Sequence, residues 1–265
     1  MNIYFHELKA YKNSTLIWTF SLIALVILFM SMFPSISRDV EVFKELMEGF
    51  PEAVRKALGL EIESFGTILG FYSYIFLYVT LFGAIQAMNI GTSIISKEVR
   101  DKTADFLLTK PVSRSKILTS KLMAALTTLI ITNVVYVVAA SIIVSQVKTE
   151  VYSMKIFLMI TLTLFFVQLI FLSLGIIISV LVPKIKSVLT VSLGTVFTFY
   201  IIGLLTSTTG DESKRYLSPF QYFDTGYIIK NSSFETSFLL VGVAIVTVSL
   251  VASYIIYTKK DIQAV

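Results

Sequence analysis

Six stretches of the chain contain no Asp, Glu, Lys or Arg: 13–37, 64–96, 122–147, 156–183, 187–210 and 236–258. Each has at least 23 residues, and together they occupy 159 of 265 positions. A helix needs about 20 apolar residues to cross the hydrocarbon core of a bilayer. Helices buried in a soluble core typically run about 8–20 residues, so six such runs in one chain argue against a soluble fold. Composition agrees: 55% of residues are apolar and only 15% are charged, against about 25% charged in soluble domains. A chain of this length leaves roughly a quarter of its unfolded surface exposed, which is more than its polar residues cover.

Residues 16–32 and 238–256 are almost continuously apolar. Barrel strands alternate over about 10 residues, so a β-barrel is disfavoured. In lipid, backbone groups must be satisfied within the segment, which makes each run a helix. The expected fold is an all-α membrane protein with spans at about 15–33, 67–95, 122–145, 156–182, 188–209 and 236–257. Stretch 64–96 would reach about 50 Å as one helix, too long for a perpendicular crossing. It also holds four glycines. It therefore reads as an outer segment, a span near 71–90 and an inner extension.

Six spans put both termini on one side. That side carries thirteen basic and five acidic residues, the other nine and twelve. The positive-inside rule places the termini and loop 97–121 in the cytoplasm. The net charge of +5 is thus a topology signal spread over short segments, and no nucleic-acid partner is expected. The apolar run near the N-terminus exceeds the 7–15 residues of a secretory signal and lacks an A-x-A site, so it reads as a span. There is no Cys, which removes disulfides and thiolate chemistry.

Residues 1–12 place Tyr4, Leu8 and Tyr11 on one helical face, with Glu7, Lys9 and Lys12 elsewhere. This reads as a short interfacial amphipathic helix, the alternative being a frayed terminus. In the outer loop 38–63, Val40, Phe43, Met47, Phe50, Val54 and Leu58 recur at three- or four-residue intervals, giving one or two short helices broken at Pro51. The second outer loop, 211–235, is rich in aromatics and fits either an interfacial belt or a re-entrant hairpin.

Loop 97–121 is the most informative segment. Thr103 can cap a short helix and Asp105 suits its first turn. Pro111 ends that helix, and Ser113 can cap the next. Phe106, Leu107 and Leu108 lie among seven basic and three acidic residues. An apolar triplet in such a loop needs a docking partner, a lipid surface or packing within the chain.

Enzyme signatures are missing. The sequence has one His, no G-x-S-x-G, no H-E-x-x-H and no G-x-x-x-x-G-K-[ST], hence no P-loop of its own. No Asp, Glu, Lys or Arg falls inside an expected span, which weakens an ion-coupled secondary carrier. The polar residues at depth are Gln86, Asn89, Asn133 and Gln168, read either as helix cross-links or as contacts for a solute. Phe197, Phe199 and Tyr200 in the fifth span either line a pathway or pack. Three classes of function stay open on this basis: an ATP-driven exporter permease, an ion-coupled carrier, and a non-transporting membrane sensor or assembly protein.

Glu98, Thr103, Leu107, Leu108, Pro111, Val112, Ser113, Arg114 and Lys121 fill a pattern E-x-x-x-G-T-x-x-x-L-L-x-x-P-V-S-R-x-x-x-x-x-x-K. This resembles the ABC-2-type permeases of ATP-binding-cassette transporters, with Lys102 where Gly is usual. Leu217-Ser-Pro-Phe-Gln-Tyr-Phe223 also resembles the family's outer loop. The resemblance implies an ABC-2 (type V) exporter-like permease in which 97–121 is the ATPase-coupling segment, through Glu98, Thr103, Asp105, Phe106, Leu107, Leu108, Pro111 and Arg114. It further implies that Tyr4, Leu8 and Tyr11 belong to a connecting helix. The implied partners are two ABC ATPase subunits, a second permease copy or paralogue, and the lipid bilayer. ATP and Mg would sit on the partner subunit, with no cofactor in this chain. The candidate pathway residues are Gln86, Asn89, Phe197, Phe199 and Tyr200. The expected cargo is an amphipathic peptide or lipophilic compound, exported across a bacterial plasma membrane.

Overall fold

The computed structural model describes residues 3–57, 62–100, 112–182, 184–209 and 211–259. Among them the secondary structure is helical throughout. Six helices are long and apolar enough to cross a membrane: α1 (Ile3–Met30, continuing into α2, Phe33–Arg38), α6 (Ile68–Arg100), α7 (Arg114–Val147), α8 (Met154–Leu181), α9 (Val188–Thr209) and α11 (Thr236–Lys259). Short helices α3 (Val40–Glu48), α4 (Glu52–Ala57) and α5 (Ile62–Phe65) connect the first two, and α10 (Thr225–Asn231) precedes the last.

The boundaries follow local chemistry. From residue 3 to residue 33 there is neither Gly nor Pro, so nothing interrupts α1. The short N-terminal helix expected over 1–12 is therefore the first part of one continuous helix. Likewise α6 is a single 33-residue helix, longer than the span expected near 71–90. Ser113 and Ser153 cap α7 and α8 by accepting from the N–H of Lys116 and Ile156, both at 3.4 Å. Asp224 caps α10 through Gly226 and Tyr227. The break at Pro51 falls between α3 and α4 as its chemistry requires.

Glycines that might have ended α6 are instead where it meets α8. A Cβ on Gly91 would lie 2.4 Å from the Leu172 carbonyl oxygen, and one on Gly175 would lie 2.8 Å from that of Met88. Only paired glycines allow two helices so close, the small-residue logic of membrane helix packing. α6 and α8 form the centre of the bundle, with 67% and 61% of their apolar windows buried, against 17–33% for the other four. α1 packs on α7, and α11 on α8. The outer four leave Phe20, Leu205, Leu240 and Val248 more than half exposed, an arrangement suited to lipid or to a further helix.

Candidate functional site

Two places in the bundle carry polar side chains in a non-random arrangement. The first is at the end that holds the N-terminus. Lys121, in the second turn of α7, is 1% exposed. Its Nζ donates to the Ile94 carbonyl at 2.8 Å, lies 3.3 Å from Oε1 of Glu7, and pairs with Glu98. Lys97 pairs with the other oxygen of Glu7 and sits 5.0 Å above the ring of Tyr11. Glu7 itself is 3% exposed.

Three helices thus meet on two carboxylates and two ammonium groups. A buried ion survives only when paired and hydrogen-bonded, and here each charge has an opposite partner. The cluster stands on both stems of the segment 101–111: Lys97 and Glu98 lie just before it, Lys121 just after it. Further along α7, the Tyr4 hydroxyl lies 3.0 Å from that of Thr127. α11 joins the same end, where Arg114 donates to the Tyr257 carbonyl at 3.5 Å and Thr119 meets the Tyr254 hydroxyl at 2.8 Å.

Of the expected coupling residues, Glu98 and Arg114 are in this assembly. Thr103, Asp105, Phe106, Leu107, Leu108 and Pro111 lie outside the described residues. Tyr4, Leu8 and Tyr11 lie on one packed face of α1, Tyr11 buried and the other two half-buried. Glu7, expected off this face, shares it and is buried. Its spacing of three from Tyr4 and four from Tyr11 carried that signal. Lys121, expected on the helix that follows Ser113, is buried there rather than exposed with the loop charges.

In the middle of the bundle, polar groups form a chain across four helices. Thr19 donates to Thr132 at 3.2 Å, as does Gln86 Nε2 at 3.0 Å. Gln168 donates to Gln86 Oε1 at 3.1 Å, and Asn133 donates to Gln168 Oε1 at 2.5 Å. Gln86 and Gln168 are both 0% exposed. Gln86 is therefore placed as a link between helices. Asn89 is half-buried beside it in sequence. Phe197 is exposed on α9, while Phe199 and Tyr200 pack edge-to-face with Phe171 and Phe220 respectively.

The second place is at the opposite end. A cavity of about 410 Å³ lies between the first half of α6, α8, the end of α9 and residues 211–229. The segment 211–224 is folded against α9 as two short 3-10 turns, Glu212–Leu217 and Pro219–Gln221. Ser218 Oγ donates to the Phe199 carbonyl at 2.7 Å, and Gln221 Nε2 to that of Gly203 at 3.1 Å. Arg215 reaches across to Glu235 with both terminal nitrogens, one of them at 3.0 Å, and packs 4.2 Å from the centre of the Phe238 ring. Burial works against the guanidinium charge, but the bonds and charge of Glu235 outweigh it and raise its pKa. This segment therefore forms a wall bonded to α9. Among the described residues no group of three or more His, Asp or Glu side chains is placed to hold a metal ion.

No curated protein matches the chain. The family described as ABC-2 family transporter protein matches residues 1–262. The chain therefore belongs to that family and is a multi-pass membrane protein of the ABC transporter permease type.

Proposed function

We propose that this ABC-2 family member is the permease subunit of an exporter that moves an amphipathic peptide or lipophilic compound outward. Energy comes from ATP hydrolysed with Mg on two separate ATPase subunits, and a second permease copy or paralogue completes the pathway. The termini and segment 97–121 face the cytoplasm of a bacterial cell, where the ATPases dock.

The observation that carries this reading is the cluster of Glu7, Lys97, Glu98 and Lys121. It clamps both stems of 97–121 to α1. A push on the apolar triplet Phe106, Leu107 and Leu108 would reach α6 and α7 together rather than bend one stem. A rigid element with two positions is what a nucleotide-driven switch requires. α6 in turn is locked to α8 at Gly91 and Gly175, so its movement carries the centre of the bundle.

Reconstitution tests the proposal. The chain with its partner ATPase in vesicles should accumulate cargo only when ATP is supplied. Transport by the chain alone under a proton or sodium gradient would instead identify a secondary carrier.

A further inference from the structure

The cavity at the end opposite the ion cluster combines three properties. Its volume of about 410 Å³ lies in the range of small-molecule sites. Its walls are mixed: Phe76, Leu77, Val167, Phe220 and Phe223 give apolar and aromatic surface between hydroxyl-bearing side chains such as Thr80, Thr163 and Thr206. Its rim is anionic. Asp211, Glu212 and Asp224 line it, whereas the one lining cation, Arg215, is held by Glu235. Lys214 comes within 3.6 Å of Asp211, but both side chains are nearly half exposed, and such a surface pair neutralises little.

Charge sign and wall chemistry together select the ligand. An anion would meet three carboxylates. A metal ion would need a convergent donor set that the described residues lack. A folded peptide exceeds the volume. An organic cation with an apolar body satisfies both halves of the site: its charge faces the carboxylates, its body lies on the phenyl rings, and cation–π attraction adds to both. Ser73 supplies a specific contact. Its Oγ is buried and has no hydrogen-bond partner among the described residues, and it lines the cavity. The wall 211–224 is already tied to α9 through Ser218 and Gln221, so binding need not order it.

We propose that this cavity is a binding site for a small lipophilic organic cation. The inference deepens the transport reading, in which this end faces outward and the site holds cargo leaving the pathway. Binding can be measured on the chain alone. The full chain in nanodiscs of zwitterionic lipid is dialysed against tetraphenylphosphonium, with empty nanodiscs subtracted and triphenylphosphine oxide as the neutral analogue.

Saturable binding of the cation, well above that of the oxide, is expected. The triple variant Asp211→Asn, Glu212→Gln, Asp224→Asn should lower cation affinity about tenfold and weaken its salt dependence. Asn caps helices as well as Asp does, so the wall stays folded. Ser73→Leu, which fills the cavity, should reduce binding without changing net charge. Unchanged affinity in the triple variant, equal binding of the oxide, or no saturable binding by the intact chain would each overturn the proposal. The two readings fail separately. Cation binding without ATP-driven transport would sink the exporter reading and leave the site. Transport by a chain that binds no cation here would do the reverse.

Discussion

Lys121 Nζ lies 3.3 Å from Oε1 of Glu7, and the two side chains are 1% and 3% exposed. They belong to helices that are far apart in sequence and begin the first and third spans. Lys121 also holds Glu98 and the Ile94 carbonyl, so one ammonium group joins α1, α6 and α7. The ends of three spans are therefore positioned by electrostatics rather than by apolar packing alone.

Removing one partner from such a cluster strands the others in a low-dielectric site. Lys121→Met should destabilise the chain by about 3–5 kcal/mol, the range for a broken buried ion pair. Glu7→Gln should cost less, because Lys121 keeps Glu98 and Lys97, which loses its carboxylate, is 21% exposed and can be hydrated. A double-mutant cycle between Glu7→Gln and Lys121→Gln should be clearly non-additive. Unfolding in mixed micelles reads all of these, and additive values would remove the coupling between the two residues.

The crossing of α6 and α8 makes a sharper steric prediction. A Cβ on Gly91 would sit 2.4 Å from a backbone oxygen, whereas one on Gly194 meets nothing within 4 Å. Gly91→Val should lose about 3 kcal/mol or more through overpacking and give aggregated protein on size exclusion. Gly194→Ala should behave as the parent, and removing a helical glycine favours it by up to about 1 kcal/mol.

The six spans were legible because lipid imposes a strong rule, that charges stay out, and the sequence obeys it over long windows. The Ser113 cap and the Pro51 break were legible because they are local backbone chemistry. What the sequence hid was partnership. Lys121 is one charge among ten in 97–121, and only the placement of Glu7 and Glu98 around it makes it a buried anchor. Glycines in α6 read as breaks until Gly175 is brought opposite Gly91. The cavity, too, depends on how 211–224 folds back on α9 through Ser218 and Gln221, a long-range contact without periodicity to announce it.

Gln86 is bonded to both Thr132 and Gln168. Gln86→Leu should cost about 1–2 kcal/mol, since interhelical bonds in membranes average about 0.6 kcal/mol each and orphaned partners add to the loss. If it acts only as a link, transport selectivity should be unchanged in the surviving protein. A shift in cargo preference at unchanged stability would make Gln86 a pathway residue.

Arg215→Ala should loosen the wall of the far cavity. The change removes the bonds to Glu235, the 3.1 Å bond to the Gln221 carbonyl and the contact with Phe238. Amide hydrogen exchange should quicken over 216–224 while α6 and α8 stay protected. Unaltered exchange there would show that Ser218 and Gln221 suffice to hold the wall.

In the proposed mechanism, force enters through 97–121 from a separate ATPase. The most direct test is co-purification of the partner ATPase with the intact chain and with the double variant Phe106→Asp, Leu107→Asp, each checked for a monodisperse, folded state. Retention by the intact chain and loss by the folded variant are expected. Retention of the ATPase by the folded variant would contradict the mechanism.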